Sequence, residues 1–174
     1  GIHTVITGKP NAGKSSLMNV LIGKERAIVT EVAGTTRDIL EGQVNLDGIT
    51  LNLIDTAGIH EAQDAVEKIG IEKARNSLDR ADLVVFVVDA STEFDRDDKE
   101  VLSLLGNKNV IFLLNKCDLV QVTTEGKIRS IINEKGMACP VIAVSAKEGT
   151  GIDELSRQIK EMFFEGEVSF NDQV

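Results

Sequence analysis

The sequence has no Trp and no Tyr, and six Phe leave aromatics at 3% of its 174 residues. So small a stock of flat side chains argues against a surface that stacks unpaired bases. Positive charge is also short: 19 Lys and Arg stand against 28 Asp and Glu, a net charge of −9. With no basic run to offset it, the chain is a poor electrostatic partner for nucleic acid or an anionic bilayer. Its two cysteines, Cys117 and Cys139, have neither metal-ligand nor disulfide-framework spacing and read as reduced, partly buried thiols. The longest apolar runs, such as "LVVFVV" at 83–88, are far too short to span a bilayer, and no membrane partner is expected. No secretory pattern opens the chain, so a cytoplasmic location is expected. Gly1 rather than Met comes first, which reads as a segment of a longer protein.

What is present is an ordinary globular composition, 42% apolar and 27% charged, at a length that suits one domain. Short apolar runs alternate with helical patterns. "HTVIT" (3–7) reads as a strand entering a Gly-rich turn, and "KSSLMNVLIG" (14–23) as the helix that follows it. "ILEGQVNL" and "ITLNLID" flank Asp47-Gly48, a strong hairpin signal that predicts an antiparallel pair. "LVVFVVD" (83–89), "VIFLLNK" (110–116) and "PVIAVSA" (140–146) read as strands buried on both faces, with helices near 67–79, 95–106, 124–135 and 151–164. The alternation predicts an α/β, doubly wound, three-layer architecture, its sheet mostly parallel with one antiparallel edge strand. Ligands in such sheets sit beyond the carboxyl ends of the strands, and the chemically loaded residues fall there.

"GKPNAGKS" (8–15) matches G-x-x-x-x-G-K-[ST] between a predicted strand and a predicted helix. Its glycines let successive amides, including those of Ala12 and Gly13, turn inward into an anion nest, and the helix adds the positive end of its dipole. Lys14 supplies a cation for outer phosphates, the Ser15 hydroxyl suits Mg²⁺, and Ser16 completes the loop. An ATPase or a GTPase could own it. "NKCD" (115–118) decides for guanine, because Asp118 can accept from both the ring N–H and the exocyclic amine, a donor pair that adenine lacks. The aliphatic stem of Lys116 can lie along the base and Asn115 can tie neighbouring loops. "SAK" (Ser145, Ala146, Lys147) can present the Ala146 amide to a guanine carbonyl.

The order phosphate loop, Thr-containing loop, "DTAG", "NKCD", "SAK" resembles the Ras-like P-loop GTPases over nearly the whole chain. "AIVTEVAGTTRD" (27–38) and "VEKIGIEKA" (66–74) narrow the resemblance to the G domains of the MnmE (TrmE) family of tRNA modification GTPases, within the TrmE/Era/EngA group. It implies a GTP-hydrolysing G domain over 1–164, with an acidic tail at 165–174 joining it to a larger protein that acts on the tRNA wobble uridine with the FAD-dependent partner MnmG. Any tRNA contact would come from other parts of that protein. The runner-up is a ribosome-assembly GTPase of the Era/EngA type. A third reading is a GTP-binding switch with little hydrolysis.

Hydrolysis requires water to attack the γ-phosphate and charge on its oxygens to be offset. Asp55 at a strand end can support Mg²⁺, and the Gly58 amide can sense the γ-phosphate. A threonine of "GTT" should complete the metal shell: Thr36 by analogy with related GTPases, with Thr35 the alternative. Ile59 stands where Ras-like enzymes carry a water-orienting Gln, and the residues alone leave His60, Glu61, Asp64, Glu67 and Arg37 unranked as substitutes. The resemblance selects Glu67, acting through a bridging water, so that Lys14, Gly58 and Glu67 are the candidate catalytic residues. It also implies K⁺ in place of an arginine finger, held by Asn11 and by backbone carbonyls between Thr30 and Thr35, Val32 included. Two G domains would then meet through their switch faces as a homodimer.

Overall fold

A computed structural model of the chain describes residues 1–9, 12–24, 28–31, 40–46, 48–55 and 78–171. Among these residues, strands β1 (Ile2–Thr7), β2 (Ile28–Glu31), β3 (Leu40–Leu46), β4 (Ile49–Asp55), β5 (Leu83–Asp89), β6 (Asn109–Asn115) and β7 (Val141–Ala143) form one sheet, in the order β2-β3-β4-β1-β5-β6-β7. The helices are α1 (Lys14–Lys24), α2 (Arg96–Ser103), α3 (Glu125–Glu134) and α4 (Ile152–Asn171).

The five strands β4, β1, β5, β6 and β7 pair in parallel. The expected hairpin is present: β3 and β4 pair antiparallel with Leu46 opposite Ile49, and Gly48 before β4 takes φ +93°. Antiparallel pairing therefore sits at one side of the sheet, as the sequence predicts. The edge itself is β2, which pairs antiparallel with β3 and extends the sheet by one strand inside a stretch read as a loop.

Alternation along the central strands builds a core on each face. Leu83, Val85 and Val87 of β5 join Ile6, Ile111 and Leu113 in a cluster with Leu17, Met18 and Leu21 of α1 and Leu155 and Ile159 of α4. Val84, Phe86 and Val88 join Val5, Val110, Phe112 and Leu114 on the other face, under Val101 and Leu102 of α2 and Ile128 and Ile132 of α3. The middle strands are thus buried on both sides, which is why they read as continuous apolar runs. Helix starts are fixed locally. Thr124 caps α3 by accepting from the Lys127 amide, and Asp95 with Asp98 forms a reciprocal capping box on α2. Helix α4 begins in the core and continues to Asn171, past the boundary at 164.

Candidate functional site

The carboxyl ends of the parallel strands share one rim of the sheet, and the candidate residues gather there. The first is the turn after β1. Gly8 takes φ +141°, and a Cβ there would lie 2.3 Å from the Val87 carbonyl oxygen of the neighbouring strand. Gly13 takes φ +99°, and its Cβ would fall 2.0 Å from Asn115 Nδ2. Only glycine fits at either position, so the loop packs directly against the ends of β5 and β6. Between them the Ala12 amide donates to the Lys9 carbonyl at 3.1 Å. Lys14 opens α1 with its side chain 1% exposed, and its ammonium donates to the Gly8 carbonyl at 2.7 Å, closing the loop on itself. Ser15 and Ser16 are exposed in the first turn of the helix.

Asn115, at the end of β6 and 3% exposed, joins the loops as the sequence suggests. Its Nδ2 donates to the Ala12 carbonyl at 2.8 Å, and its Oδ1 accepts from the Ala146 amide at 3.0 Å. One side chain therefore bridges the Gly-rich loop to the "SAK" loop. The Ala146 amide, expected to face a base carbonyl, is spent on this bridge in the structure. Lys116 takes φ +65°, rare for a residue with a Cβ, and its ammonium donates to Asp89 Oδ2 at 2.8 Å. The Asp118 carboxylate accepts from the Ser145 hydroxyl at 2.9 Å, which also accepts the Glu148 amide. Ser145 and Thr150 exchange both backbone hydrogen bonds, which closes the loop carrying Ala146 and Lys147.

Two carboxylates that the sequence reading passed over belong to this rim. Asp89 ends β5 and is 6% exposed. Its Oδ1 accepts from the amide and hydroxyl of Ser91 and its Oδ2 from Lys116. Burial alone would raise its pKa, yet the hydrogen bonds from Lys116 and Ser91 hold the carboxyl below the usual carboxylate range. The signal was in the sequence as an acid closing the run "LVVFVV". The other is Asp98, 1% exposed, which with Asp95 receives the Lys9 ammonium.

A model of the family described as "50S ribosome-binding GTPase" matches residues 3–116. The chain belongs to that GTPase family. Over all 174 residues it is 54% identical to the tRNA modification GTPase MnmE of Lachnoclostridium phytofermentans, covering 100% of this chain and 37% of that protein. It therefore spans little more than a third of the curated relatives it matches. Among solved structures, Era of Aquifex aeolicus bound to GDP·AlF4⁻ superposes with a TM-score of 0.71 at 32% identity, over 92% of this chain and 56% of that one. Era in complex with MgGDPNP and a stretch of 16S ribosomal RNA gives a TM-score of 0.73 at 31% identity, with the same coverage of 92% and 56%. The chain is accordingly a GTP hydrolase, and the resemblance to the MnmE G domains drawn from its motifs holds along its whole length.

Of the candidate residues in this GTPase, the structure brings together Ala12, Gly13, Lys14, Ser15, Asn115, Lys116, Asp118, Ser145, Ala146 and Lys147. Asp55 ends β4 with its backbone opposite Ile6, two residues before Gly8, and Thr30 lies in β2; the side chains of these two are outside the described residues. Asn11, Val32, Thr35, Thr36, Gly58 and Glu67 also lie outside the described residues, as do Arg37, Ile59, His60, Glu61 and Asp64. Among the described residues, no helix is long and apolar enough to cross a membrane.

Proposed function

We propose that this rim is a guanine nucleotide site in which the loop from Gly8 to Ser15 holds the phosphates and the 115–118 and 145–147 loops hold the base. The observation that carries it is the Asn115 bridge. One buried side-chain amide ties the loop suited to phosphates to the loop suited to guanine, so that both open on the same rim. Asp118 selects guanine, Lys116 flanks the base, and Lys14 and the amides of Ala12 and Gly13 meet the phosphates, with Ser16 and Thr30 beside them.

Mg²⁺ suits the donors available: an exposed Ser15 hydroxyl at the start of α1 and a carboxylate, Asp55, at the end of the adjacent strand. Thr36 would add a third oxygen. Bound there, the ion would neutralise charge on the phosphate oxygens. The Gly58 amide would report the γ-phosphate and Glu67 would orient water in place of the glutamine that Ile59 displaces. K⁺ held by Asn11, Thr30, Val32 and Thr35 would stand in for an arginine finger across a G-domain homodimer. Residues 1–164 form the G domain, and 165–174 lead into the rest of a longer cytoplasmic protein that modifies tRNA with MnmG. The 54% identity to an MnmE along the whole chain supports this reading. The likeness to Era, seen with ribosomal RNA, supports a ribosome-assembly role as the second reading, which the −9 charge weakens.

Steady-state GTP hydrolysis in K⁺ and in Na⁺, with Asn11→Lys and Glu67→Ala beside the parent chain, tests the mechanism. The parent should turn over GTP at least several-fold faster in K⁺, and both variants should lose that advantage. Equal rates in the two cations would end the K⁺ assignment, and an unimpaired Glu67→Ala the water-orienting one.

A further inference from the structure

Lys9 is the second residue of the Gly-rich loop, and proximity makes it an obvious phosphate ligand. Its side chain does something else. Nζ lies 3.0 Å from Asp95 Oδ2, 3.0 Å from Asp98 Oδ2 and 3.4 Å from the Glu93 carbonyl oxygen. Three acceptors match the three hydrogens of an ammonium. The side chain is only 19% exposed. The acceptors are themselves held. Asp95 caps α2 by accepting the Asp98 amide at 3.2 Å, and Asp98 Oδ2 accepts the Asp95 amide at 3.1 Å. Lys9 therefore grips a rigid helix start rather than two mobile carboxylates.

We propose that Lys9 is a positioning residue that pins the first turn of the phosphate loop to the start of α2 through Asp95 and Asp98. This rests on the reading that residues 8–15 hold the phosphates. The pull reaches the loop directly, because the Lys9 carbonyl accepts the Ala12 amide, and Ala12 is the residue that Asn115 holds from the other side. The loop is thus fixed at both ends of that turn, by an ion pair on one side and an amide bridge on the other. The second sign is Asp98 itself. It is 1% exposed, and its Oδ1 has no hydrogen-bond partner among the described residues. A buried carboxylate with one bare oxygen is costly and demands a reason. A helix cap alone does not need a buried carboxylate, since Ser, Thr or Asn would serve at the cap and neutral Gln at the third position. A fixed anion for Lys9 supplies the reason.

The test measures binding of GDP, whose β-phosphate enters the loop, and of GMP, which lacks it, by competition against a fluorescent GDP derivative. Lys9→Ala should weaken GDP about tenfold, the scale of one charge-assisted contact, and leave GMP within about twofold. Lys9→Arg should recover most of the GDP affinity. Lys9→Ala combined with Asp98→Ala should be no weaker than Lys9→Ala alone. Should Asp98→Ala fail to fold, Asp98→Asn, which keeps the cap acceptor and removes the charge, takes its place in the cycle. Unchanged GDP binding in Lys9→Ala, equal loss of GDP and GMP, or additive losses in the double variant would each overturn the proposal; additive losses would make Lys9 a phosphate ligand. A parent chain that binds no GDP would instead remove the site reading beneath it.

Discussion

Two lysine–carboxylate locks flank the site, and they are built differently. On the base side Lys116 meets Asp89, whose two oxygens are both engaged, one by the ammonium and one by Ser91. On the phosphate side Lys9 meets Asp95 and Asp98, and one oxygen of Asp98 is bare among the described residues. The two buried acids respond in opposite directions. Asp89 is held below the usual carboxylate range despite its burial, whereas burial pushes the Asp98 carboxyl up, against the pull of Lys9 and the Asp95 amide. Burial is common to both, so the difference lies in how completely hydrogen bonds replace the lost water. Lys9 follows its own partners: burial would lower its pKa, and the Asp95 and Asp98 carboxylates more than restore it.

Severing what joins the two locks should have the largest effect. Asn115→Ala removes the bridge and leaves the Ala12 carbonyl and the Ala146 amide without their partner. It should cost about 3 kcal/mol by denaturant unfolding and abolish measurable GDP binding by calorimetry. Asp89→Asn comes next. It discharges the fully satisfied acid and puts a neutral amide where the carboxylate faced the Lys116 ammonium, at about 1–2 kcal/mol near neutral pH. Because the folded pKa of Asp89 is depressed, its contribution is complete above the ordinary carboxylate range and is lost as pH falls through the lowered value. Parent and Asp89→Asn stabilities should therefore converge in acid, and a constant gap down to pH 2 would refute the assignment. The smallest effect belongs to Asp98→Asn. Folding disfavours ionised Asp98, so its stability contribution grows as pH falls through the raised value. The neutral isostere should change stability at pH 7 by less than about 1 kcal/mol, even though Asp98 is the more buried of the two acids. A loss as large as that of Asp89→Asn would erase the contrast between the locks.

The parts of the molecule that could be read from sequence are those whose cause is local. Gly8 and Gly13 announce a turn that no Cβ could occupy, and "LVVFVV" announces a strand with both faces buried. Asn115, Lys116 and Asp118 were identifiable because the strand before them delivers all three to the rim. What escaped depends on residues distant in sequence. Lys9 and Asp98 are separated by the whole of β2 to β5, and nothing near either residue marks the pair. Asp89 finds Lys116 only because β5 and β6 lie side by side, with Asp89 opposite Asn115. Strand β2 escaped because "IVTE" is too short to show a period, and its pairing is supplied by β3.

Helix α4 starts one residue after Gly151, whose φ of +85° brings its backbone against the Ala143 carbonyl, and Gly151 follows the Thr150 pairing that closes the loop of Ser145 and Ala146. Its 20 residues make a rod of about 30 Å at the rise of an α-helix. With Ile152, Leu155 and Ile159 seated in the core, its first turns are held in place, and the closed base loop sets the direction in which the far end leaves the sheet.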